Sequence, residues 1–116
     1  MNQIAAVMIH VDDVEAGLSW YARAFPAAIR KRIAGPIDFE YLDVNGVMIE
    51  IVPADEKVAS GAAGSVVYWR VDGFETTLTR MQSIGAISYR GPMPIEAGQR
   101  MCQVRDPWGN CIGLRG

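Results

Sequence analysis

Apolar positions along this chain follow two rhythms, and the same succession of rhythms occurs twice. Residues 4–9 and 65–71 are short apolar runs rich in β-branched and aromatic side chains, and they read as strands. A stretch of helical spacing follows each. Val14, Leu18, Tyr21 and Phe25 share one face of a first predicted helix, which Pro26 ends. Phe74, Leu78 and Met81 share one face of a second, with Gly85 placed as its left-handed stop. An Asp with a Glu three residues on marks each helix start, Asp12 with Glu15 and Asp72 with Glu75, a capping-box pattern. Three strand-like runs then follow each helix: 29–33, 39–44 and 47–52 in the first half, 87–90, 101–105 and 111–115 in the second. The last two of each set are joined through Asp43-Val44-Asn45-Gly46 and Asp106-Pro107-Trp108-Gly109, good chemistry for type I turns.

The halves also match residue by residue at mechanically equivalent places. Val11, Asp12, Glu15 and Leu18 correspond to Val71, Asp72, Glu75 and Leu78, and Asp43, Gly46 and Ile49 to Asp106, Gly109 and Ile112. The chain therefore reads as an α+β protein of two tandem β-α-β-β-β units. At 116 residues it has room for one domain, with unit one at about 1–53, a linker at about 54–64 and unit two at about 65–116. The Pro- and Gly-bearing segment 91–100 reads as a long mobile loop.

Composition narrows the function classes. Half the residues are hydrophobic, the formal net charge is −2, and acids and bases are scattered without a basic stripe, so nothing points to nucleic acid. No apolar stretch approaches the ~20 residues of a bilayer span. Met1-Asn2-Gln3-Ile4 lacks the basic start of a secretory leader, and the expected location is the cytoplasm. Cys102 and Cys111 have no metal-like or CxxC spacing and read as reduced, small apolar strand residues. Neither a nucleophile elbow, a P-loop nor a dinucleotide fingerprint is present.

The residues Val11-Asp12-Asp13-Val14-Glu15 leading to Trp20-Tyr21 resemble the strand-to-helix passage of the vicinal-oxygen-chelate superfamily of glyoxalases, bleomycin-resistance proteins and extradiol dioxygenases. Gly98-Gln99-Arg100 followed by Asp106-Pro107-Trp108-Gly109-Asn110-Cys111-Ile112 resembles its closing hairpin. The resemblance spans almost the whole chain. It implies a curved, half-barrel-like mixed sheet with a concave cavity. It also implies metal-ligand positions on the first and last strand of each unit, which here fall on Ala6, Glu50, Val66 and Gly113. Three of the four cannot bind a metal, and zinc sites need about three protein ligands. The expectation is no metal and no cofactor.

Strand alternation places further residues on the cavity face. Met8 and His10 join Ala6, Met48 and Val52 join Glu50, and Phe39 and Tyr41 join them across the hairpin. Tyr68 and Arg70 take the equivalent face in the second unit, and Trp108 sits in its closing turn. Apolar walls with sparse polar groups suit a small organic ligand. The candidate ligand-binding residues are thus His10, Phe39, Tyr41, Met48, Tyr68, Arg70 and Trp108, with Glu50 as a candidate catalytic carboxylate. The same aromatics suit packing against a second subunit, and Glu50 could equally be the structural partner of Arg70. The leading reading is a metal-free binding protein resembling the bleomycin-resistance branch and acting as a homodimer. One alternative is a glyoxalase-like lyase or isomerase with Glu50 as general base on a small carbonyl substrate; another is a structural dimer without ligand.

Overall fold

Val7, Ile9 and Val11 alternate with Met8 and His10, and this alternation sets the first strand, β1 (Ala6–Val11). It is followed by the helix α1 (Val14–Ala24) and the strands β2 (Ile29–Ile33), β3 (Phe39–Val44) and β4 (Val47–Pro53). The computed structural model describes residues 3–36 and 38–116; Met1 and Asn2, on which the reading of the N-terminus begins, and Ile37 lie outside the described residues. The sheet runs β1-β4-β3-β2, with β1 and β4 parallel and the other pairs antiparallel. The second unit repeats the pattern: β5 (Val67–Arg70), α2 (Phe74–Ser83), β6 (Ile87–Pro94), β7 (Arg100–Arg105) and β8 (Cys111–Arg115), in the order β5-β8-β7-β6. Each sheet is mixed and open, and the chain divides into compact units Met1–Ala59 and Ser60–Gly116.

Each unit buries its helix against one sheet face. In the first, Leu18, Trp20, Tyr21, Ala24 and Phe25 are buried with Val11, Leu42, Ile49 and Ile51. In the second, Phe74, Leu78 and Met81 are buried with Cys102, Val104, Ile112 and Leu114. Burying each such side chain contributes about 1.5–3 kcal/mol, the largest favourable term available to units this small. Gly17 lets α1 sit close to β4: a Cβ there would lie 2.6 Å from Ile51 Cγ2.

Three local expectations are corrected. The N-cap of α1 is Asp13, whose Oδ1 accepts from Ala16 N–H at 3.1 Å, and α2 starts at Gly73 with no side-chain cap. Asp12 and Asp72 each precede the capping position by one residue. Glu15 and Glu75 turn to Arg30 and Arg100, because an ion pair to a neighbouring strand is within their reach. The first hairpin closes with Val44 opposite Val47, so its loop is Asn45-Gly46 alone. Both residues have positive φ (51° and 89°), the geometry that an Asn-Gly pair favours and that matches strand twist better than type I. Finally, the first part of the segment read as a mobile loop is strand. β6 continues through bulges as far as Pro94, pairing Met93 with Met101, before a 3₁₀ turn at Glu96–Gly98. Bulges let the strand absorb residues that do not fit the ladder. Among the described residues, no helix is long and apolar enough to cross a membrane.

Candidate functional site

Register places the candidate residues of the first unit on the sheet face away from α1. Ala6, Met8 and His10 stand beside Met48, Glu50 and Val52, and Asp43 stands opposite Met48. By the same alternation Tyr41 and Phe39 share this face, with ring centroids 6.1 Å apart. Met8 is more than half exposed on this face.

The hairpin partners β3 and β4 pair only from Leu42 to Val44, with Ile49 to Val47. Nearer its start β3 keeps company with β2 alone, and the end of β4 keeps company with β1 alone, so the two strands fork. In the second unit the corresponding strands pair along their whole length, from Met101 with Arg115 to Arg105 with Cys111. The fork opens a cleft of about 700 Å³ in the first unit. Val14, Glu15 and Leu18 of α1 line it, as do Arg32, residues 38–40 and residues 50–53. Its size lies within the range of small-molecule sites.

Most charges at the cleft are paired. Arg30 Nη2 lies 2.6 Å from Glu15 Oε2 and 2.8 Å from Glu40 Oε2, and Arg32 Nη2 lies 2.7 Å from Asp38 Oδ2. Its hydrogen bonds to the Glu40 and Glu15 carboxylates hold the Arg30 guanidinium even more firmly protonated than usual. The Gly35 N–H and Arg32 pull the Asp38 carboxyl below its ordinary range, and Arg30 does the same for Glu40. Glu50 has neither an ion pair nor a hydrogen bond to its carboxylate among the described residues.

In the second unit Tyr68 lies over Gly113. A Cβ on that glycine would fall 2.5 Å from the ring, so the aromatic side chain takes the space a ligating side chain would need. Gln103 Nε2 donates to the Tyr68 hydroxyl at 2.8 Å, and the Arg115 guanidinium lies 4.8 Å from the ring centroid. Arg70 is the register partner of Arg115. Trp108 is half-buried in the closing turn.

Of the sequence-derived candidates, Phe39 and Glu50 meet in the cleft, with Tyr41 as ring neighbour of Phe39. His10 and Met48 share the sheet face but do not line the cleft, and Tyr68, Arg70 and Trp108 belong to the second unit. Sequence reasoning missed Val14, Glu15, Leu18, Arg32, Asp38 and Glu40 as lining. A signal for part of this was present, since Arg30 and Arg32 face Glu40 and Asp38 across the Gly35-Pro36 bend.

The profile of the Glyoxalase/Bleomycin resistance protein/Dioxygenase superfamily matches residues 3–114. The chain belongs to this superfamily. No curated protein matches it in sequence. Among solved structures it is similar to a glyoxalase/bleomycin resistance protein/dioxygenase family enzyme from Burkholderia phytofirmans PsJN, at 20% identity and TM-score 0.74 over 98% of each chain. It is similar to a glyoxalase/bleomycin resistance protein from Streptomyces sp. CB03234, at 20% identity and TM-score 0.74 over 98% of this chain and 100% of that one. It is also similar to TnmS3, an antibiotic binding protein from the same organism, at 20% identity and TM-score 0.73 over 98% of this chain and 94% of that one. At these identities the likeness is one of fold.

The metal that many members of this superfamily use does not fit the residues present. Ala6, Val66 and Gly113 carry no donor, Tyr68 fills the space at Gly113, and no three His, Cys, Asp or Glu among the described residues stand close enough to hold an ion.

Proposed function

We propose that this chain is a metal-free small-molecule-binding protein of the bleomycin-resistance type, a cytoplasmic homodimer that holds an organic ligand at the forked cleft of its first unit. The observation that carries this reading is the cleft itself: apolar walls from Val14, Leu18, Phe39, Ile51, Val52 and Pro53, an ion-paired rim of Glu15, Arg32, Asp38 and Glu40, and Glu50 as an unpaired polar group. Apolar walls with few orienting polar atoms are the usual make-up of such sites. The fold likeness to TnmS3, described as antibiotic binding, supports the same reading. The unpaired carboxylate also favours a second reading, in which Glu50 acts as general base toward a small carbonyl compound. Two free thiols, Cys102 and Cys111, fit a reducing compartment.

The test is the protein as purified from cells under non-denaturing conditions. Mass spectrometry or electron density should reveal a small organic molecule in the cleft, and a structure in which ligand occupies only other surfaces would defeat the reading. Elemental analysis without chelator should give well under one divalent ion per chain, because one carboxylate does not fix a catalytic metal. Stoichiometric zinc, nickel or iron that survives dialysis would count decisively against it.

Dimerisation is expected from exposed apolar side chains: Met8, Ile29 and Ile33 in the first unit, and Ile87, Tyr89 and Met93 in the second. Sedimentation at micromolar concentration should give about twice the 12.7 kDa chain mass. A clean monomer would remove the homodimer from the proposal.

A further inference from the structure

The charges lining the cleft determine what kind of molecule it can hold. Four carboxylates line it, from Glu15, Asp38, Glu40 and Glu50, against the single guanidinium of Arg32. Arg32 is taken by Asp38, and Arg30, just behind the lining, is shared between Glu15 and Glu40. The cleft therefore keeps a net negative charge even after every pairing, and Glu50 is the carboxylate left without a cation among the described residues.

A neutral apolar ligand entering here would strip water from Glu50 and return nothing, which is costly for an ionised group. An anion would meet the same charge and be repelled. A cation would gain from both, and its attraction to Glu50 would strengthen as the apolar walls exclude water. The Phe39 ring in the lining adds an aromatic group, whose face attracts positive charge. The second unit has no such arrangement: the face around Tyr68 carries Arg70 and Arg115.

We infer that the ligand of the cleft is an organic cation, an amine or quaternary ammonium group carried on an apolar body, with Glu50 as its counter-ion. This inference rests on the small-molecule-binding reading above and specifies the ligand class. Three soluble probes of similar body and different charge test it: benzyltrimethylammonium, benzyl alcohol and benzoate. Each is titrated into the protein and followed by ligand-detected NMR, with protein chemical shifts of Glu50 and Phe39 reporting the place of binding.

The cation should bind about tenfold more tightly than the alcohol, the range of a charge-assisted contact, and benzoate should not bind. Raising the salt concentration should weaken the cation and leave the alcohol unaffected. In Glu50→Gln the cation's advantage should vanish at an unchanged melting temperature. The salt titration decides the matter on the native chain if that variant does not fold. Equal binding of cation and alcohol, or a preference for benzoate, overturns the ligand class while the cleft stands as a small-molecule site. If none of the three perturbs Glu50 or Phe39, the cleft is not the binding site and both readings fall.

Discussion

Asp106→Ala should lower the stability of the protein by about 3 kcal/mol, and the melting temperature by about 12 °C for a chain of this length. Asp106 is only 3% exposed, and its carboxylate organises the turn between β7 and β8. Oδ1 accepts from the main-chain N–H groups of Trp108 at 2.9 Å and Asn110 at 2.8 Å, and Oδ2 accepts from Asn110 Nδ2 at 3.0 Å. Alanine would remove every one of these acceptors and leave two backbone donors unsatisfied in a part-buried turn. Hydrogen bonds to an ionised acceptor contribute about 1.5–3 kcal/mol each, but strained or rehydrated geometry recovers part of the loss. Asp106→Asn keeps one acceptor oxygen and should cost about half as much. Scanning calorimetry on the two variants and the native chain measures both steps. A melt unchanged in Asp106→Ala would mean that Pro107 and Gly109 hold the turn without the side chain.

That turn was legible in the sequence because its chemistry is local: Asp first, Pro second and Gly fourth act within a few bonds of one another. The strand and helix periods were legible for the same reason, and they place Leu42, Ile49 and Ile51 opposite Leu18 and Tyr21 without any long-range information. The helix cap is legible only to within one residue, because Asp12-Asp13 offers two equivalent acceptors. Only the backbone, extended at Asp13 (φ −125°, ψ 105°), decides between them. In the segment from Gly91 to Pro94, Pro and Gly speak against a regular ladder, yet bulges accommodate them in an edge strand.

The site was half legible. Alternation gave the face shared by Glu50, Phe39 and Tyr41, since a period of two is a property of any strand. It could not give the fork between β3 and β4, because Phe39–Tyr41 and Glu50–Val52 alternate identically whether paired with each other or parted. The fork exposes the underlying helix, and so Val14 and Leu18, which helical spacing assigns to the core, become cleft lining together with Glu15. Gly113 is the converse case. Its lack of a side chain read only as a missing ligand, while the fold shows the positive reason, that the Tyr68 ring lies there and hydrogen-bonds to Gln103.

The largest loss of stability is expected from Tyr21→Ala, about 3–5 kcal/mol, the range for removing a large aromatic from a core. Tyr21 is 1% exposed and sits in a cluster of rings, 5.0 Å from Trp20 in an edge contact and 6.4 Å from Phe25 in a stacked one. Removing it leaves a cavity between α1 and the sheet that Trp20 and Phe25 can only partly fill. Small domains have about 5–15 kcal/mol to lose, so the variant should be partly unfolded near body temperature. Tyr21→Phe keeps the ring and should cost no more than about 1.5 kcal/mol, which separates the packing contribution from that of the hydroxyl. Denaturant unfolding curves with equal slopes for all three proteins would assign the difference to stability. Because α1 also supplies Val14, Glu15 and Leu18 to the cleft, Tyr21→Ala should loosen the site at temperatures where the sheet is still formed. Amide exchange should then quicken first in α1, and a variant whose α1 exchanges no faster than its sheet would show that the helix is anchored by Leu18 and Ala24 without the ring.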